Sequence, residues 1–358
     1  MNNNWLRNTI RSFEPYVVPE IKEHIVINAN ESPYNIFDFP QGTADCLERL
    51  AKTPSYHYPD PFAEELRAAL AKYVGCQPQE VLVSNGGDEI ISLIMNTFLN
   101  PGDTLLTHTP TFDIYGIDAE VLGAQVVTVS DLDGYRRDRD GLLTKVKELQ
   151  PKVTVLCNQY TPTGELQPLA YVESLVQAAD NIVVIDEAYL EFAGAPSIIT
   201  KLSQYDNLIV IRTLSKAFGL AGCRVGYGVA QKELIDALGL TKLVYNLNIL
   251  SQNAALAAMD YADDILAHNI PPTLAARQYF MDALKDVPSL TVYPSSTNFV
   301  LVRVPDGPAM VKALHDADIC VRSYKAANLK NCLRITITTD EVVRKVVAVM
   351  TEEAKKDA

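Results

Sequence analysis

Short apolar, β-branched runs recur through the first two thirds of the chain with helical stretches between them: VLVSN at 81–85, TLLTH at 104–108, AQVVTV at 124–129, VTVLC at 153–157, IVVID at 182–186, LIVIR at 208–212 and RVGYGV at 224–229. Runs this apolar call for cover on both faces, and the helical stretches supply it. The alternation predicts an α/β fold, a large domain whose mainly parallel mixed sheet is covered by helices. Ordinary punctuation marks the helices. Asp60 and Pro61 open FAEELRAALAKYVG, with proline at the first helical position and Gly75 closing it. From about residue 250 the rhythm changes to SQNAALAAMDYADDILAHN, then PPTLAARQYFMDALKDV, then the strands NFVLVRV and CLRITIT. We therefore expect a large domain over 30–248 and a smaller α+β domain over 249–358. Residues 1–29 should join the small one, because 1–24 carry too few apolar positions to fold alone.

Composition narrows the partners. With 31 basic against 44 acidic residues, the net charge of -13 opposes a broad basic face, so neither nucleic acid nor an anionic membrane is expected. Any anion site must be local. The six cysteines form no CxxC pair and no metal-ligand spacing with the five histidines, so no metal is expected and a reducing compartment fits. MNNNWLRNTI has no apolar signal core, and no segment approaches the roughly 20 uninterrupted apolar residues that span a bilayer. The expected location is cytoplasmic.

In an open parallel sheet, ligands sit beyond the carboxyl ends of the strands. Four runs end there in polar chemistry: VLVSNGGDE, VLCNQYTPTG, VVIDEAY and VIRTLSK. SNGGDEI at 84–90 is either a plain turn or a glycine turn whose N–H groups at Gly87 and Asp88 face an anion at a helix start. It matches neither GxGxxG nor the Walker pattern, which argues against a dinucleotide or nucleoside triphosphate. Asp186, at the end of a buried strand, is either a helix cap or the counter-ion of a protonated heterocycle, with the Tyr189 hydroxyl near the same ring.

Lys216 lies in IRTLSKAFGLAGCRVGYG, between the hydroxyls of Thr213 and Ser215 and the cation Arg224. Most lysines snorkel to the surface, which suits this setting poorly. In a low-dielectric cleft beside another cation its amine loses its proton more easily and becomes a nucleophile toward an aldehyde. Thr213, Ser215, Arg224 and the amides of Gly87 and Asp88 make a phosphate-binding set beside that amine and the acid at 186. A phosphate, an aldehyde and a basic ring nitrogen together describe pyridoxal 5'-phosphate.

SNGGDE, PTFDIY, PTG, DEAYLEF, RTLSKAFGLAGCRVGY and LRITIT, in this order, resemble the fold-type-I pyridoxal-phosphate aminotransferases of classes I and II. PYVVPE at 15–20, NANESPY at 28–34 and YPDP at 58–61 resemble the histidinol-phosphate subgroup, and the likeness covers nearly the whole chain. The resemblance implies that Lys216 is the Schiff-base lysine and Asp186 the partner of the ring nitrogen. Tyr189 would bond the ring oxygen and Phe112 would stack on the ring. Tyr58 would reach the phosphate from a second subunit, implying a homodimer with shared active sites. Tyr16, Asn30, Arg322 and Arg334 would bind substrate, Arg334 through a guanidinium fork that suits carboxylate or phosphate. Arg322 is equally readable as a surface ion pair.

Two positions depart from the family's pattern. Thr161 stands directly before PTG where asparagine is usual, and Asn35 replaces the usual glycine of the arm motif. The implied reaction is transamination from histidinol phosphate to a 2-oxo acid such as 2-oxoglutarate. Transamination of an aromatic amino acid, decarboxylation of a threonine-phosphate-type substrate, and cofactor binding without turnover are the alternatives.

Overall fold

The computed structural model describes residues 5–14, 21–36, 39 and 42–357. The strands are β1 (Ile25–Ile27), β2 (Val81–Asn85), β3 (Thr104–Thr109), β4 (Gln125–Ser130), β5 (Val153–Cys157), β6 (Ile182–Asp186), β7 (Leu208–Thr213), β8 (Val225–Ala230), β9 (Thr291–Val292), β10 (Phe299–Arg303), β11 (Ile319–Ser323) and β12 (Cys332–Thr336). The helices are α1 (Thr43–Ala51), α2 (Glu64–Val74), α3 (Gly86–Phe98), α4 (Ile114–Val121), α5 (Arg139–Leu149), α6 (Leu169–Ala178), α7 (Lys232–Gly239), α8 (Ile249–Asp260), α9 (Ala262–Leu284), α10 (Gly307–Asp316) and α11 (Asp340–Ala354).

The larger sheet has the order β2-β8-β7-β6-β5-β3-β4. From β7 to β4 all neighbours are parallel, whereas β8 runs antiparallel to both β2 and β7. The reversal has a simple cause: the link from β7 to β8 contains no α-helix, and a parallel return needs a longer crossover. Every residue of β5, β7 and β8 is buried. The period of two divides the strands between cores: Ile185 and Val210 pack with α2, α5 and α6, while Val184, Ile209 and Ile211 pack with α3, α4 and α7.

The smaller sheet, β1-β11-β12-β10-β9, is antiparallel except for the β1–β11 pair. Val300, Val302, Leu333 and Ile335 bury one face against α9, α10 and α11. Leu301 and Cys332, on the other face, meet Tyr135, Tyr293 and Tyr324.

Several local expectations shift. Helix α2 begins at Glu64, not at Pro61, because the Asp60 carboxylate accepts the N–H groups of Phe62 at 2.9 Å and Glu64 at 2.6 Å and closes a turn ahead of the helix. Gly75 does end it, at φ 78. Helix α9 runs through Pro271 and Pro272, and the boundary between α8 and α9 falls at Tyr261, inside the stretch SQNAALAAMDYADDILAHN. Its first half, with Ile265, joins the core of the large sheet, and its second half, with Ala276 and Phe280, joins that of the small one. Helix α8 also packs into the large core through Ala255 and Ala258. The change of core therefore falls inside α9. The arm divides too: β1 pairs with β11, but Thr9 Oγ1 donates to Val121 O at 2.8 Å, next to the large sheet. Among the described residues no helix is long and apolar enough to cross a membrane.

Candidate active site

Strand order brings the carboxyl ends of β7, β6, β5 and β3 side by side, and β2 leads into α3 at the same edge. Helix α3 starts at Gly86 itself, one residue earlier than a simple glycine turn implies, and Asn85 gives it no side-chain cap. Its first N–H groups, including those of Gly87 and Asp88, thus have no side-chain acceptor at the cap and sit at the positive end of the helix dipole. Gly226 on β8 permits the approach: a Cβ there would lie 2.4 Å from the Gly86 carbonyl carbon and 2.5 Å from the Gly87 nitrogen.

Arg224, at φ 55, turns toward the same point and donates to Asp88 Oδ2 at 3.1 Å. Both side chains are half exposed, so that pair contributes little and yields readily to a stronger anion. Thr213 Oγ1 donates to Ser215 Oγ at 2.9 Å and accepts the Ser215 N–H at 3.1 Å, which folds the turn after β7 into a pair of buried hydroxyls. The main chain ties that turn to Arg224, since Leu214 N donates to Val225 O at 3.0 Å. The five residues of the expected phosphate set therefore converge.

Asp186 ends β6 buried. Its Oδ2 accepts the Tyr115 hydroxyl at 2.5 Å and its Oδ1 accepts the Ala188 N–H at 2.9 Å. Burial pushes the carboxyl above its usual range, against the pull of those two donors. Tyr115, on α4, is absent from the sequence reading, although it lies in the quoted PTFDIY three residues after Phe112. Phe112 is 37% exposed and meets Tyr115 edge to face at 5.7 Å. Thr161 is buried in the loop after β5, and Asn158 at the start of that loop donates its N–H to Asp186 O at 2.8 Å.

The Lys216 Nζ donates to Ala29 O at 2.8 Å, so the amine is parked on the end of the N-terminal strand. Burial first, then the Arg334 guanidinium, lower it to about 8. Arg224 contributes less to that fall than Arg334, a cation from the other sheet. Tyr189 accepts from Asn30 Nδ2 at 3.0 Å, and burial raises its phenol to about 12. Asn30 sits at φ 56, donates its N–H to Thr336 Oγ1 at 3.0 Å and accepts Asn298 Nδ2 at 3.0 Å on its carbonyl. It thereby links the small sheet to Tyr189.

Arg334 donates to Asn28 O at 2.8 Å, its guanidinium lies 5.4 Å from the Phe299 ring, and its buried Nε has no hydrogen-bond partner among the described residues. Arg322 is its direct cross-strand neighbour. Like charges placed opposite each other are unfavourable unless an anion joins them. Tyr58 does not enter this chain's own cleft: it is 79% exposed and stacks on Tyr245 at 4.5 Å. Tyr16 lies outside the described residues.

Beneath the site, Arg212 pairs with Glu191 at 2.6 Å and Glu187 at 3.4 Å, all three side chains buried. These two glutamates stand in the quoted DEAYLEF, and their task of binding β7 to the segment after β6 was not read from it.

A profile of the family described as aminotransferase class I and II matches residues 23–350. Among curated relatives, histidinol-phosphate aminotransferase of Thermoanaerobacter sp. (strain X514) is 38% identical over 343 residues, 95% of this chain and 96% of that one. The protein of the same name from Ruminiclostridium cellulolyticum is 35% identical over 341 residues, 94% of each chain. Among solved structures, histidinol-phosphate aminotransferase from Sinorhizobium meliloti, in complex with pyridoxal-5'-phosphate, superposes with a TM-score of 0.88 at 28% identity, covering 99% of this chain and 98% of that one.

Proposed function

The chain belongs to the class I and II aminotransferase family, and we propose that it uses pyridoxal 5'-phosphate to move the amino group of histidinol phosphate to 2-oxoglutarate. The observation that carries the reading is one cleft holding a lysine amine lowered to about 8, a buried carboxylate and an uncapped helix start.

The residues fit the cofactor. The start of α3 at Gly87 and Asp88, with Thr213, Ser215 and Arg224, suits a phosphate. Asp186 is a buried acid with a raised carboxyl, the environment in which a cationic ring nitrogen is the partner that favours its charged form. When bound, the cofactor supplies an electron sink for the bond broken at the substrate carbon. In this reading the Lys216 amine, roughly a tenth neutral at pH 7, holds the cofactor and then takes the proton leaving that carbon. Tyr189 keeps its proton through the neutral range and donates it to the ring oxygen, while Asn30 holds the phenol in place. Phe112 would pack on the ring, and Thr161 would offer its hydroxyl to the ring from a shorter reach than the family's asparagine. Arg334, with Arg322 opposite, grips the donor's phosphate in one half-reaction and the oxo acid's carboxylate in the other.

We propose a homodimer. Support comes from the exposed Tyr58–Tyr245 stack and the exposed Tyr56, Leu240, Leu243 and Val244, a surface that a second copy would cover. We also place the boundary of the small domain within α9 and the protein in the cytoplasm, the latter supported by six free cysteines.

The test is an assay of the purified holoenzyme with histidinol phosphate and 2-oxoglutarate, following glutamate. Phenylalanine, tyrosine and threonine phosphate serve as competing donors, with carbon dioxide monitored. Glutamate formed fastest from histidinol phosphate is expected. Carbon dioxide without glutamate, or preference for an aromatic amino acid, overturns the assignment.

A further inference from the structure

Residues 131–137 form a short turn after β4, closed by the Leu132–Arg136 bridge, in which Leu132 N donates to Arg136 O at 2.8 Å. At its foot the buried Arg137 guanidinium lies 3.4 Å from the Asp131 carboxylate and 4.1 Å from the centre of the Tyr160 ring. The Arg137 N–H donates to Glu165 Oε2 at 3.2 Å. Tyr160 and Glu165 flank the loop that carries Thr161, so the foot of the turn is fastened to the cofactor side of the cleft.

Its tip reaches the other half of the molecule. Tyr135 adopts φ 56, a conformation rare for a bulky residue, so its contacts must hold it there. The Tyr135 hydroxyl donates to Asn328 O at 2.5 Å, accepts from Arg303 Nη2 at 2.6 Å and lies 3.2 Å from Cys332 Sγ. Its ring packs on Tyr293 at 5.1 Å. Arg303 and Cys332 are register partners on β10 and β12, as are Leu301 and Arg334. Cys332 precedes Arg334 by two residues, so both project from the same face of the sheet. The hydroxyl therefore fastens the strand that carries Arg334 at a point one pleat away from that guanidinium.

We propose that Tyr135 is a positioning residue for anion binding: its hydroxyl latches β12 to the Thr161 side of the cleft and holds Arg334 over Lys216. The proposal rests on Arg334 being the group that grips substrate anions.

The test compares holoenzyme Tyr135→Phe, which keeps the ring and removes the hydroxyl, with Arg334→Gln. For Tyr135→Phe, KM for the donor and for the oxo acid, and Ki for the unreactive dicarboxylate maleate, should each rise about three- to tenfold. Saturated kcat should change by less than about twofold, and the absorption of the bound cofactor should not move. Amide exchange over residues 332–336 should quicken. If Tyr135→Phe leaves KM and Ki unchanged while Arg334→Gln raises both, the latch is refuted and the role of Arg334 stands. If Arg334→Gln changes neither, both fall. A fall in kcat with KM unmoved also refutes the latch.

Discussion

Replacing Tyr115 with phenylalanine removes a single oxygen and keeps the ring against Phe112, so it isolates the hydroxyl that steadies Asp186. In the native protein that hydroxyl donates to Oδ2 at 2.5 Å, and the Ala188 N–H, at 2.9 Å on Oδ1, and more weakly the Lys216 cation share the work of opposing burial. A hydrogen bond to a charged group contributes about 1.5–3 kcal/mol, or roughly ten- to 150-fold in an equilibrium. The bond is present before and after the cofactor binds, so only its preference for the charged carboxylate, the form that a cationic ring nitrogen pairs with, enters the dissociation constant for pyridoxal 5'-phosphate, which should rise by about tenfold. The sign of the pH effect follows. The hydroxyl favours the charged form, and its loss raises the carboxyl further, so the acid limb of kcat/KM moves to higher pH. Titration of the apoprotein with cofactor by absorbance, together with a pH profile, measures both. Native affinity with an unmoved acid limb would refute the assignment of Asp186 as the ring's counter-ion held by Tyr115.

Lys216→Ala should lower turnover by at least about a hundredfold and abolish borohydride-dependent attachment of the cofactor, read by mass spectrometry of the intact chain. In the native apoprotein, the rate of covalent capture of added cofactor should climb as pH rises through about 8, where Lys216 loses its proton. Arg334→Gln should move that midpoint upward, because it removes the strongest cationic influence on the amine. Gly226→Ala sets a methyl group 2.4 Å from backbone at the start of α3; a loss of about 1–3 kcal/mol in thermal denaturation and a weaker grip on the cofactor's phosphate are expected.

The large sheet was legible because its signal is local. VLVSN, VTVLC and IVVID coincide with β2, β5 and β6 residue for residue, since a buried central strand shows itself as an unbroken apolar run. The direction of β8 was not legible, because RVGYGV reads the same whichever way it pairs. Nor was the continuity of α9 through its two prolines, which carry a strong local stop signal that packing against both cores overrides. Tyr115 was in view inside PTFDIY, but an aromatic residue at helical spacing reads first as core.

The sequence by itself therefore determined the strands, the charge balance and the chemical types at the strand ends: an amine at 216, an acid at 186, and glycines where a helix begins. Tertiary structure alone decided which cation dominates the field at Lys216, which hydroxyl holds Asp186, and that a turn at 131–137 grips the strand of Arg334. Local preference is settled within a few residues of chain, whereas the field and hydrogen bonds at one atom depend on groups 71 to 197 positions away, and their distances exist only after folding.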